Sequence, residues 1–289
     1  MSTITPTTSS TRPTGVQGRI AFETDTKSII VYDGANWYGY NYDDTTAFQN
    51  RYKLNFDGSG DYANTNYLVS SSATAMSISA WMSSTSYSGG AAIFSNEGLN
   101  FGRNEVGMQL RFNASGNFFI SVNNGSSAYT TTSNSATNTP TQGLNIFDGD
   151  WYHVVATING TSGKVYVNGV EEFTFASSVT FTGGGLDSYA LGYLGAGYPS
   201  YYWNGALDEI SVYEYELTLT QVSNIYNSGT PVHVGSFGLN LSPSGYWRGG
   251  DNDNGTGSTV TDLGSGGNDA TLSGNAAITT IGTGESIYV

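Results

Sequence analysis

The chain has 289 residues, of which only 11% are Asp, Glu, Lys or Arg, against roughly 25% in ordinary globular proteins, so its surface is built mainly of Ser, Thr, Asn and Gly. Nine basic residues against 23 acidic ones give a net charge of −14 with no run of Lys or Arg, a field that repels nucleic-acid phosphates and anionic lipid surfaces. With no cysteine, two well-separated histidines and no stretch near the ~18 apolar residues of a spanning helix, the sequence excludes disulfides, thiolate metal sites, thiol catalysis and a transmembrane helix.

Residues 1–14 are Ser, Thr and Pro with almost nothing apolar and read as an extended arm that orders against a partner. The opening MSTITPTTSSTRPTG lacks the apolar core of a signal peptide, so no export address is expected. Three strand-like runs follow at 16–22, 28–33 and 36–40, parted by turn clusters, and form a small β-meander. So short a unit is near the minimum for independent stability, which implies association with other copies or a host structure. Trp37, Tyr38 and Tyr40 would supply its mini-core or an assembly seam.

From Arg51 to Tyr226 strand signals succeed one another: YKLNFDG, MSISAWM, AAIFSN, VGMQLRFN, NFFISVNN, WYHVVATING, KVYVNGVEEFTF, YALGYLG and ALDEISVYEYEL. Val, Ile, Tyr and Phe alternate with polar residues while Gly, Asn and Asp mark turns, the pattern of two stacked antiparallel sheets. Residues 219–227, LTQVSNIYN, form the one helical turn, with Leu219, Val222 and Ile225 or Tyr226 on one side and Gly229 and Pro231 ending it. The tail from 232 adds short strands in SGYWRGG and NDATLSG but too few large apolar residues for a core of its own.

The order FDGSGDY (56–62), SISAWM (77–82), IFSNEG (93–98), GDWYHVVATING (149–160), KVYVNGV (164–170) and WNGALDEISVYEYEL (203–217) resembles the laminin-G-like, concanavalin A-like jelly rolls. The resemblance covers about residues 51–229. It implies an all-β two-sheet sandwich whose relatives bind glycans or proteins, sometimes through calcium, and it implies no catalysis. The run TRPTGVQGRIAFETDTKSIIVYDGANWYGY is similar to a short module of bacteriophage fibre proteins, and residues 242–276 are similar to segments that follow jelly rolls in marine phage proteins.

Asp57, Asp61 and Asp208 are the candidate calcium ligands. Asp57 and Asp61 flank a Gly-Ser-Gly turn that lets backbone carbonyls approach a cation, and Asp208 joins them on the family resemblance. The alternative is that the first two form Asx turns and Asp208 partners a turn or ladder. DNDNG (251–255) with Asp262 mimics a calcium loop, but Thr256 stands where glycine is required, so a turn is expected. No Glu-x-Asp-x-Glu run exists for glycoside hydrolysis, and Glu214 and Glu216 are expected to face solvent. Tyr198, Tyr201, Tyr202 and Trp203 crowd one aromatic segment that stacks on a sugar, contacts a second subunit or joins the core. Trp151 and His153, two apart, share one strand face, where a packed or hydrogen-bonded histidine is expected.

These readings divide the chain into an attachment or oligomerisation region (1–48), a jelly roll (49–231) and a β tail packed on it (232–289). The expected protein is a non-enzymatic structural component of a phage particle, located in the virion. Its arm would contact other virion proteins, its chains would associate as a homotrimer, and its sandwich would reach a host-surface glycan. It would bind neither nucleic acid nor membrane. The competing expectation is a bacterial extracellular carbohydrate-binding module or adhesin.

Overall fold

The computed structural model describes all residues except 1–4, 9, 24–27, 42–48, 87–90, 97–105, 114–115, 125–128, 134–144, 186–187, 194–200, 237–238, 240 and 283–289. Two compact units result, one of residues 1–49 with 235–240, the other of residues 50–234 with 241–289. No helix of the described residues is long and apolar enough to cross a membrane.

The first unit is a four-stranded sheet of β1 (Thr5–Thr7), β2 (Ile20–Glu23), β3 (Ser28–Tyr32) and β4 (Trp37–Asn41), paired in that order. The meander arises from alternation, since Ala21 and Ile30 sit opposite each other and are buried. Asp33 Oδ1 closes the β3–β4 turn by accepting the Ala35 and Asn36 N–H groups, each at 2.7 Å. The arm behaves differently from its sequence expectation, because Thr5–Thr7 find a partner within the chain and pair parallel to β2. The open edge of β2 offers unpaired backbone groups and β-branched Thr suits them. An ion pair from Arg12 to the buried Glu23 ties the arm back.

The second unit contains β5 (Tyr52–Asp57), β6 (Tyr62–Asn64), β7 (Ala75–Ser83), β8 (Ala92–Ser95), β9 (Val106–Phe112), β10 (Phe118–Asn124), β11 (Tyr129–Ser133), β12 (Trp151–Asn159), β13 (Ser162–Val167), β14 (Val170–Ala176), β15 (Ala190–Leu191) and β16 (Asn204–Tyr213). Helix α1 (Leu219–Tyr226) follows, then β17 (Gly245–Trp247), β18 (Thr259–Val260), β19 (Ala270–Ser273) and β20 (Ala277–Thr280). One sheet runs β11, β10, β9, β8, β15, β6, β19, β18, and the other β14, β13, β12, β7, β16, β5, β20, with β17 also on β16. Pairing between these strands is antiparallel throughout, so the unit is a jelly-roll sandwich. Even-numbered residues of β7, namely Met76, Ile78, Ala80 and Met82, meet Met108, Leu110 and Phe112 of the other sheet in one core. The β13–β14 hairpin turns on Asn168 and Gly169, both at positive φ as a two-residue Asn-Gly turn requires.

The outward faces of β7 and β12 are buried as well, with α1 covering Trp81 and His153. Thr218 and Gln221 form a capping box at the helix start, and Asn227 ends it in the left-handed conformation, ahead of Gly229. The helix packs through Val222, Ile225 and Tyr226, spaced i, i+3, i+4, and this stripe leaves Leu219 in solvent. Tyr226 stacks on Trp81 and His153 at centroid distances of 5.9 and 6.1 Å. His153 is 0% exposed and its Nε2 is 2.8 Å from Ser79 Oγ.

Burial pushes the His153 imidazole down to about pKa 3, so the folded protein holds it neutral while the unfolded chain protonates near 6.5. The unfolded state therefore binds more protons between those values, and stability falls as pH drops from about 6.5 towards 3. Denaturant midpoints across this range should fall more steeply for the native protein than for His153→Gln, and parallel profiles would refute the assignment.

Candidate functional site

The Gly-Ser-Gly turn between β5 and β6 folds around its own carboxylates. Asp57 Oδ1 accepts the Ser59 N–H at 2.8 Å, an Asx turn. Asp61, 0% exposed, accepts the Asp57 N–H at 2.7 Å through Oδ2 and the Asn275 N–H at 2.6 Å through Oδ1. The Asn275 amide donates to Asp57 Oδ2 at 3.1 Å, and with Ser59 it holds the exposed Asp57 carboxyl below the ordinary range. All four carboxylate oxygens thus serve the turn and the tail residue Asn275, which precedes β20.

Asp208 lies elsewhere. Asp57 pairs with Asn204 on β16, and Asp208 is four residues farther along that strand, about 13 Å at the usual rise. The three aspartates do not converge, and among the described residues no three His, Cys, Asp or Glu side chains form a metal cluster.

The aromatic candidates also separate. Tyr198 lies outside the described residues. Trp203 is 0% exposed and lies in the core beside Phe112 and Phe147, at centroid distances of 5.9 and 6.5 Å, so it offers no ring to a ligand. Tyr201 and Tyr202 are half-buried. Tyr202 stacks on Tyr193 at 4.7 Å with the ring planes 11° apart, and their backbones form an isolated antiparallel bridge. Tyr193 in turn sits 5.4 Å from Tyr62. Burial and the neighbouring Tyr202 and Tyr62 hydroxyls push the Tyr193 phenol up to about 12.

Tyr62 is the residue that joins the two candidate sets. It follows Asp61 directly, and because Ala63 points into the core, Tyr62 and Asn64 face outward. A three-tyrosine row therefore borders the Asp57–Asp61–Asn275 turn, with Asn204 alongside, its amide donating to Ser86 Oγ at 3.0 Å. The signal for Tyr62 is present in the sequence as strand alternation after FDGSGD, yet nothing there relates it to Tyr193 and Tyr202. Asn275 has no local signal, since it reaches the turn from the tail. Such a row supplies apolar ring faces next to hydrogen-bonding groups, the pairing that suits a sugar ring.

Residues 57–223 match the family model of the concanavalin A-like lectin/glucanases superfamily, more than half of the chain. The chain belongs to this superfamily. Among solved structures it is similar to a Bacteroides ovatus protein assigned as carbohydrate-binding, at 16% identity and a TM-score of 0.57, covering 92% of this chain and 70% of that one. It is also similar to the heptameric SAP-like pentraxin of Limulus polyphemus, at 18% identity and a TM-score of 0.46, covering 63% and 84% of the two chains. A third similarity is to the CBM40 of the Ruminococcus gnavus IT-sialidase, at 14% identity and a TM-score of 0.45, covering 61% and 97%. No curated protein matches the chain.

Replacing Asp61 with Ala removes the acceptor of two N–H groups, those of Asp57 and Asn275. The expected loss is about 3 kcal/mol in chemical denaturation, the desolvation cost of stranded donors. A loss below about 1 kcal/mol would mean that water replaces the carboxylate at no cost.

Proposed function

We propose that this lectin-like protein binds carbohydrate, without catalysis, on the Tyr62–Tyr193–Tyr202 row at the β5–β6 end of the sandwich. The observation that carries the reading is the row itself: the half-buried rings of Tyr62 and Tyr202 on either side of the buried Tyr193, edged by Asp57 and Asn275 on a concanavalin A-like scaffold. Tyr62 and Tyr202 supply ring area at little conformational cost, because each has only two side-chain torsions to fix. The exposed Asp57 and the chain's charge of −14 favour neutral or amino sugars over acidic ones. The non-catalytic reading is supported by the carboxyls that burial raises, Asp208, Glu209 and Asp251, none of which belongs to this row, the first two being buried.

A second reading, that the lectin is displayed on a phage particle as a homotrimer, draws on the resemblance of residues 11–40 to a phage fibre module. Residues 1–49 forming a sheet of their own favour it, since a separate unit suits attachment to other virion proteins. Mass spectrometry of purified particles tests that placement.

For the binding itself, Tyr202→Ala should weaken glycan-array binding at least about tenfold, the loss of one stacked ring. Its melting temperature should stay near the native value. Undiminished binding by the folded variant, or no binding by the native protein to any neutral or amino sugar, would overturn the assignment.

A further inference from the structure

Five Asn-Gly pairs occur in the sequence, beginning at Asn124, Asn159, Asn168, Asn204 and Asn254. Such a pair carries a latent reaction between its own groups, because a glycine without a Cβ leaves its backbone nitrogen open to the preceding side-chain amide. The fold decides which pairs are free to use it.

Three of them are held. Asn159, at the end of β12, donates from Nδ2 to Glu216 Oε2 at 3.0 Å and pairs with Ala75 across the ladder. Asn168 accepts the His153 N–H through Oδ1 at 3.0 Å. Asn204, at the start of β16, donates from Nδ2 to Ser86 Oγ at 3.0 Å and pairs with Asp57. Each anchored amide is kept from turning towards the nitrogen that follows it. Asn124 ends β10, and Gly125 after it lies outside the described residues.

Asn254 has neither a ladder nor a side-chain anchor. Residues 250–255 form turns, as the DNDNG run leads one to expect, and the neighbours of Asn254 all reach out of them. Asp251 Oδ1 accepts the Arg51 N–H at 2.9 Å, Asn252 Oδ1 accepts from Arg248 Nη1 at 3.2 Å, and Asp253 Oδ2 accepts the Thr261 N–H at 3.1 Å. Asn254 itself is exposed, and its side chain makes no hydrogen bond among the described residues. The Gly255 N–H goes to the Gly250 carbonyl at 3.1 Å, an acceptor shared with the Asp253 N–H at 3.0 Å. A shared bond in an exposed turn opens locally at little cost.

We propose that Asn254 is a site of spontaneous deamidation, converting in the folded chain ahead of Asn159, Asn168 and Asn204, with water as the only co-reactant. Once hydroxide has taken the Gly255 N–H proton, that nitrogen attacks Asn254 Cγ. The N–Cγ bond forms, the Cγ–Nδ2 bond breaks, and the side-chain nitrogen leaves as ammonia. Water then opens the cyclic imide. Cleavage at Cγ gives aspartate, and cleavage at the backbone carbonyl carbon gives isoaspartate, whose main chain is longer by a methylene. No electrons change hands.

The added length falls between two anchors. Asp253 is tied to Thr261 just before it, and Gly255 just after it lies so close to Tyr52 of β5 that a Cβ there would run into the ring. An interior packed this closely has no slack for an extra methylene, so the isoaspartyl form loosens the turn from β5. Either product also adds a negative charge beside Asp251 and Asp253.

The test is peptide mapping by mass spectrometry of the full-length protein held at mildly alkaline pH well below its melting temperature, with a urea-unfolded sample alongside. In urea the Asn-Gly pairs should convert at comparable rates. In the folded protein Asn254 should convert at least about tenfold faster than Asn159, Asn168 or Asn204. The aged native protein should then melt roughly 2 °C or more below the fresh one, whereas Asn254→Gln, whose longer side chain closes the corresponding ring far more slowly, should keep its melting temperature through the same incubation. Conversion of an anchored asparagine as fast as Asn254 in the folded protein, an Asn254 that reacts only in urea, or an equal fall in melting temperature for Asn254→Gln would each overturn the proposal.

Discussion

The bulge in β16 is the constraint that the rest of the second unit depends on. Leu207 and Ile210 are three apart, yet both enter the core, which a regular strand forbids because its side chains alternate. The register on β7 shows the resolution: Asp208 opposes Trp81 and Ser211 opposes Ser79, three steps on one strand against two on the other. One extra residue restores the inward set of Leu207, Ile210 and Val212, and without it Ile210 and Val212 would turn outward. The same bulge leaves a gap in pairing, because β5 ends its ladder with β16 at Leu207 and β17 begins at Ile210. The tail enters through that gap, so the course of residues after 241 follows from one residue too many in a strand.

What the bulge costs, the outer layer offsets. Glu209 at positive φ is strained for a residue with a side chain, and its carboxylate is buried. Arg248 and Tyr246 reach it from the tail, so that removing either leaves a buried carboxylate short of a partner, a larger penalty than the pair is worth as a net stabiliser. Farther along the same face the polar groups are small: Ser77 donates to the Tyr215 carbonyl and Ser79 meets His153. Small hydroxyls let α1 approach closely enough for Tyr226 to stack on Trp81 and His153. Two covers on one sheet explain why β7 and β12 are buried along nearly their whole length despite their alternation.

Most of the scaffold was legible because strand periodicity and turn chemistry are local. The β7, β12 and β16 runs lie where alternation puts them, and α1 lies where its apolar spacing puts it, except that Leu219, expected on the packed side, stands in solvent. Distances between segments were not legible. ALDEISVYEYEL reads as one continuous strand, and nothing in it announces that Asp208 is carried about 13 Å from Asp57, or that Glu214 turns back to accept the Ser70 N–H at 2.7 Å rather than facing solvent. Trp203 looked like part of an aromatic loop because its neighbours are Tyr201 and Tyr202, yet its place on the inner side of the sandwich depends on Phe112 and Phe147, far away in sequence. Of the candidate site, half of each set was legible: Asp57 and Asp61 as turn formers, Tyr202 as a ring at the surface. The link between them, Tyr62, needed the pairing of β6 with β15, since Leu191 opposite Ala63 is what brings Tyr193 alongside.

The scarcity of charge gives these arrangements their weight. In a chain with 11% charged residues, a buried carboxylate is not one of many. Asp61 is buried with both of its oxygens satisfied, by two backbone N–H groups, one from Asp57 and one from Asn275. Glu209 is buried because a guanidinium and a phenol meet it. Asp208 has only one backbone N–H for two oxygens. The three differ in how fully the protein itself satisfies them, not in burial. The tyrosine row lies on the side where the carboxylates are satisfied, so a ligand there meets fixed hydrogen-bonding groups and ring faces rather than an uncompensated charge.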